Sequence, residues 1–273
     1  MKRLCAVGLC MMVAVFAKVP VDKKLINKEV VDNAPLVIGH RGASGHEPEN
    51  TLRSFKRAID MGVPMIELDV RVCKTGELVV IHDATIDRTT NGTGSIKALT
   101  WDTIKKYDAG SGERVPLLSE VFDLVDGRVI INVELKDERA AEPVAQLINE
   151  YMRNKKWSPD VFIVSSFNRR AVRTFKRHCP MVNTGLIFER NSTVRLDRVK
   201  RVQAHYAIIH HQSITEAFIN NAHTCGIKVF VYTVNDKAVG KKLQLMHIDG
   251  IISDYPDILL PFDTSILSDR HSG

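Results

Sequence analysis

From residue 35 onward, apolar and polar positions alternate between two patterns. Short runs dense in β-branched residues recur: "PLVIGH", "PMIELDV", "LVVIHD", "VIINVELK", "VFIVSSF", "NTGLIFE", "YAIIHH", "KVFVYTV" and "GIISDYP". Between most of them lie stretches whose apolar residues repeat every three or four positions. In "TLRSFKRAIDMG", Leu52, Phe55 and Ile59 keep helical spacing, Asn50 or Thr51 can cap the start, and Gly62 can close the end. "RRAVRTFKRH" and "ITEAFINNAHTCG" repeat the helical pattern. Strands alternating with helices predict a parallel sheet, and this many units predict closure into a single-domain α/β fold, a (β/α)8 barrel. Nine strand candidates compete for eight places, so one is peripheral, and the pattern does not say which. Residues 88–116 are polar and glycine-bearing and predict an insertion after the third strand. An open doubly wound sheet is the rival architecture. Its usual glycine-rich phosphate loop is missing, since neither GxGxxG nor a Walker sequence occurs.

Four strands break the apolar rule near their C-terminal ends, the end at which barrels build their sites. In "MIELDV", Glu67 and Asp69 share one face while Ile66, Leu68 and Val70 take the other. In "VIINVELK", Glu134 and Lys136 share a face opposite Val133 and Leu135. "VIGH" ends on His40, followed by Arg41, and "VVIHD" ends on His82. Taken singly, Glu-x-Asp is ordinary surface alternation, His40-Arg41 a structural corner, and His82-Asp83 a solvated strand end. Together they form a set. Three clustered carboxylates repel each other and resist burial unless positive charge holds them. Lys136 and Arg41 supply part of it, and a hard divalent cation with oxygen ligands from Glu67, Asp69 and Glu134 supplies it better. Two histidines suit proton transfer near neutral pH, and cations suit a phosphate oxyanion. No Ser–His–Asp or cysteine arrangement announces a protein nucleophile. The expectation is metal-assisted cleavage of a phosphodiester, with His40 and His82 exchanging protons with the attacking and leaving oxygens.

Composition changes this picture little. The 273-residue chain is 44% apolar, enough for a large core and against disorder. Net charge is +6 and the pI about 9.0, but the basic residues are scattered over separate helices without aromatic interleaving. They are expected to be solvated helix faces with some attraction for anionic substrates, and no nucleic acid or protein partner is implied. Residues 1–20 carry two early basic residues, an apolar run and Val15-Phe16-Ala17, a small-x-small cleavage pattern. They predict a signal peptide and a secreted or periplasmic location. An uncleaved membrane anchor is the alternative, although the run is short for a spanning helix. Residues 21–34 are expected to be a linker, 35–262 the barrel and 263–273 a tail. Without the leader, Cys73, Cys179 and Cys225 remain, with no metal-binding spacing and no disulfide framework.

"HRGASGHEPENT", "IELDV", "GELVVIHDATIDRTTNGTG" and "VELK", in that order, resemble the glycerophosphodiester phosphodiesterase family. "SSF", "VYTVN" and "DGIISDYP" are similar to its later landmarks, so the resemblance spans roughly residues 35 to 260. It implies a TIM barrel of the phospholipase-C-like type with calcium or magnesium. It also implies His40 and His82 as general acid and base, and Glu67, Asp69 and Glu134 as metal ligands. Arg41 and Lys136 would contact phosphate. Glu49 would sit at the pocket edge or orient its neighbours. Tyr232 stands where relatives often carry tryptophan and would shape the glycerol-binding wall. The implied reaction is attack by the substrate's own glycerol hydroxyl, giving a cyclic phosphate that water opens to glycerol 3-phosphate. A lysophospholipase D or sphingomyelinase-D-like lipid phosphodiesterase is the alternative, and a third is a barrel that binds a phosphorylated ligand without catalysis. His46 is assigned no role. Of the adjacent His210 and His211, at least one is expected to face solvent or a helix. Asp254 is a candidate to point into the mouth.

Overall fold

A computed structural model describes residues 34–190 and 192–260; the expected leader, most of the linker and the tail lie outside the described residues. Eight parallel strands form the barrel: β1 (Leu36–Gly39), β2 (Met65–Val72), β4 (Ile130–Leu135), β5 (Phe162–Ser166), β6 (Asn183–Phe188), β7 (Tyr206–His210), β8 (Lys228–Tyr232) and β9 (Gly250–Ser253). The ring closes where β1 pairs with β9 on one side and β2 on the other. The peripheral strand is β3 (Leu78–Val80), which pairs antiparallel with the end of β2, Val70 opposite Val80. His82 therefore does not end a barrel strand, as expected from "VVIHD". It lies in the segment that follows β3, part of an excursion carrying the polar stretch and the short helix Trp101–Ile104.

The connecting helices wrap the barrel in the expected places. They include α1 (Leu52–Asp60), α5 (Arg169–His178) and α7 (Glu216–Thr224), named by their place among α-helices along the described chain. Thr51 caps α1 by accepting the Ser54 N–H, and Asn168 caps α5 by accepting from Arg170 and Ala171. Outward strand residues such as Leu68, Val133 and Val164 pack against these helices, joined by Phe55, Phe122 and Phe175. Inward residues Ile38, Met65, Ile163, Ile187, Ile208, Phe230 and Ile252 fill the barrel itself. Gly250 leaves the room Phe230 needs, because a Cβ there would lie 2.7 Å from its ring. The excursion has a separate apolar centre of Val79, Ile81, Ile86, Ile96, Ile104 and Val115, flanked by Trp101 and Tyr107. Among the described residues no helix is long and apolar enough to cross a membrane.

Candidate active site

Two residues beyond the apolar layer, the same inward parity brings polar groups to the C-terminal mouth: His40, Glu67, Ser165, His210, Tyr232 and Asp254. Register sets Asp69 directly opposite Glu134 on the neighbouring strand, and Glu67 opposite Asn132. Oxygens of Glu67, Asp69 and Glu134 lie within 4.8 Å of one another, and all three residues are buried. The expected carboxylate cluster is present.

Its cations are where charge balance requires them. Lys136 Nζ lies 2.6 Å from Glu134 Oε1 and 3.4 Å from Asp69 Oδ1. Arg41 Nε lies 3.2 Å from Asp69 Oδ2, and its Nη1 donates to Glu49 Oε1 at 2.8 Å. The Arg41 backbone N–H donates to Glu67 Oε2 at 3.0 Å. The electrostatics are uneven. Burial pushes Asp69 up, but Lys136 and Arg41 outweigh it and hold the carboxyl below its ordinary value. Burial, then the charges of Asp69 and Glu134, push Glu67 well above its ordinary value. Glu134 is pushed up to about 7, by burial first and Asp69 second. Three converging carboxylate oxygens of this kind could hold a hard divalent cation.

Each histidine has a carboxylate behind it. His40 Nδ1 bonds Asp254 Oδ1 at 2.6 Å, while its Nε2 sits 4.0 Å from Glu67 Oε2. Burial pushes Asp254 up, yet hydrogen bonds from His40, Asn235 and Ser44 hold it at about 2. His82 Nδ1 bonds Asp83 Oδ1 at 2.6 Å. An ionised carboxylate only accepts, so Nδ1 carries the hydrogen and Nε2 is the free acceptor in both neutral rings. Burial pulls the His82 pKa below its ordinary value, against the opposing charge of Asp69.

The sequence missed the supports. Asp254, only a candidate, holds His40. Asp83 holds His82. Asn50 donates to Asp69 Oδ2 at 2.8 Å and accepts the Asp69 N–H. For Asp254 the signal was available, since Ile252 and Asp254 continue the inward parity of β9. For Asp83 and Asn50 it was not, because both lie outside regular strands. Glu49 accepts from Arg41 and also from Arg88. Tyr232 reaches the mouth with its hydroxyl donating to the Phe188 carbonyl at 2.6 Å, and burial pushes its pKa up to about 12. The rings of His210 and His211 lie 4.7 Å apart, because β7 ends at His210 and a 3-10 turn starts at His211. His46 turns away to Asp257.

The loop after β1 depends on Gly42, whose φ is +87° and where a Cβ would lie 2.4–2.5 Å from Ser54 Oγ and its backbone carbon. Gly42→Ala is expected to destabilise the protein by roughly 2–3 kcal/mol, combining left-handed strain with overpacking. Urea unfolding measures this directly, and a loss under about 0.5 kcal/mol would show that the loop rearranges freely.

The "Glycerophosphoryl diester phosphodiesterase family" matches residues 40–258. A glycerophosphodiester phosphodiesterase of Caldanaerobacter subterraneus subsp. tengcongensis is 37% identical over 238 residues, 82% of this chain and 96% of that protein. Among solved structures, an Oleispira antarctica phosphodiesterase in complex with its product sn-glycerol-3-phosphate is similar at TM-score 0.75 and 30% identity. That match covers 88% of this chain and 98% of that one. A glycerophosphodiester phosphodiesterase from Thermotoga maritima is similar at TM-score 0.72 and 27% identity, covering 84% and 98%. With the family's sequence pattern running through the whole barrel and the same fold in its solved members, this chain is an enzyme of the glycerophosphoryl diester phosphodiesterase family.

Proposed function

We propose that the protein hydrolyses glycerophosphodiesters to glycerol 3-phosphate and the free alcohol, with His40 and His82 as its proton-transfer pair. The observation that carries this reading is the pairing of two carboxylate-backed histidines with one buried cluster of three carboxylates and two cations. The product named for the Oleispira antarctica relative supports the substrate class. Arg41 and Lys136 bind the phosphate oxygens and offset the charge that grows on them in the transition state. One histidine takes the proton of the attacking glycerol hydroxyl at Nε2. The other gives a proton to the leaving alkoxide, and the two exchange roles when water opens the cyclic phosphate. The attacking hydroxyl belongs to the substrate and is already near phosphorus, so no protein nucleophile is needed. Glu67, Asp69 and Glu134 would hold calcium or magnesium, which when bound supplies further positive charge to the phosphate. The leader at residues 1–20 is proposed to export the enzyme or anchor it to a membrane.

The test is turnover of glycerophosphocholine with and without chelator; glycerol 3-phosphate should appear, and an unchanged rate after chelation overturns the metal assignment. Cation binding also has a pH signature independent of turnover. The Glu134 carboxyl titrates at about 7 when folded and near 4.5 otherwise. A raised folded pKa means stability present below pH 4.5 and lost as pH rises through 7. A cation needs the deprotonated form, so the rise in Tm on adding calcium or magnesium should be small near pH 5 and larger near pH 8. Thermal melts at both pH values check this, and an equal rise at both would remove Glu134 from the ligand set.

A further inference from the structure

Arg88 lies in the excursion, in no expected role, and is half exposed. Its Nε and Nη2 donate to Asp83 at 2.7 and 3.2 Å, while Nη1 and Nη2 donate to Glu49 at 2.7 and 2.8 Å. Those two carboxylates lead to different parts of the site. Asp83 Oδ1 also takes the His82 Nδ1 hydrogen, and Glu49 Oε1 also takes Arg41 Nη1. A continuous chain of charge-assisted bonds therefore runs His82–Asp83–Arg88–Glu49–Arg41.

We propose that Arg88 is a positioning residue which sets the proton-transfer histidine of the excursion and the phosphate-binding arginine of the barrel in one register. The proposal rests on the roles given above to His82 and Arg41. Geometry explains why arginine stands here. Only a planar fork offers donors on two edges at once, so each carboxylate meets a pair of parallel N–H groups. A lysine ammonium is a point charge that cannot fix the orientation of both. The Arg88 bond is the leading influence holding Asp83 below its ordinary pKa, ahead of the His82 bond, so the acceptor of the His82 hydrogen stays ionised. Stability is a poor reason for the arrangement, because the Arg88 side chain is 49% exposed and exposed ion pairs contribute little. Ile86, two residues earlier, is fully buried in the excursion's own centre and anchors the segment without Arg88. Misplacing reacting groups by about 1 Å can lower a rate about 10²-fold.

The experiment compares Arg88→Met and Arg88→Lys with Asp83→Asn and the double variant Arg88→Met/Asp83→Asn, on glycerophosphocholine with saturating divalent cation. Expected for Arg88→Met is a kcat lowered on the order of 10–10²-fold, with a Tm within about 2 °C of the parent. Arg88→Lys should not recover it. The double variant should be no slower than the slower single one, since both cut the same chain. Full recovery by lysine, strict additivity in the double variant, or parental kcat in Arg88→Met would each overturn the proposal. Should His82→Ala retain parental activity, the assigned chemistry itself fails. An inactive His82→Ala beside a fully active Arg88→Met would sink this inference alone.

Discussion

Replacing His40 or His82 by alanine lowers kcat by about 10²- to 10⁴-fold while the protein remains folded, the range that a positioned proton-transfer group contributes. Folding survives because neither ring carries the core. When His40 is removed, Asp254 still accepts from Ser44 and Asn235, so no buried carboxylate is left unpartnered. When His82 is removed, Asp83 keeps Arg88. Asp254→Asn should fall between parent and His40→Ala, because it frees the ring's tautomer and orientation without deleting the ring. Substrates with different leaving groups separate the two roles. A nitrophenol leaves without help, so the variant lacking the initial acid should recover on a nitrophenyl ester while the variant lacking the base should not. Burial favours a neutral His82 ring, the form that can accept a proton at Nε2. Parental kcat in both alanine variants on the natural ester would end the proton-transfer assignment.

The second large effect falls on Lys136. Its ammonium is wedged between Asp69 and Glu134, with the side chains of Lys136 and Asp69 only 11% and 1% exposed. Lys136→Met removes a buried cation and leaves its carboxylates facing one another. Breaking one side of a buried ion pair costs roughly 3–5 kcal/mol, so a stability loss of that size is expected in chelator. Divalent cation should restore part of it, because it is attracted to the same oxygens. Turnover should not follow. With one donor to the developing oxyanion gone, kcat should remain about 10²- to 10³-fold down even in saturating cation. Urea unfolding with and without chelator, paired with kcat, reads both effects. Unchanged stability in chelator would place Lys136 outside the charge balance of the site.

Period-two alternation makes the centre of the site visible in the sequence alone. It set Glu67 with Asp69 and Glu134 with Lys136 on inward faces, because strand side chains have only two directions. The identity of the ninth strand was harder. Leu78–Val80 has the composition of its neighbours, and its direction is not written in its residues. A length argument could have found it: residues 73–77 are all that separates it from β2, while a parallel crossover needs about a dozen residues. His82 reaches the site by another route than expected, arriving from the antiparallel excursion. The supports Asn50 and Arg88 were not legible, because they act through contacts between segments distant in sequence, and Asp83, although next to His82, lies outside any strand whose alternation would aim it. Arg88 and Glu49 are 39 residues apart. Alternation says which way a side chain points within a strand, and nothing about which loop comes to meet it.

One histidine follows barrel strand β1, and the other follows β3, where the excursion with its own apolar centre begins. Small apolar clusters open more readily than large ones, and partial openings need not spread to the whole protein. Loosening the excursion would draw the second histidine away while the cylinder stayed intact. Stiffening that appendage is then expected to lengthen the catalyst's working life more than reinforcing the cylinder does.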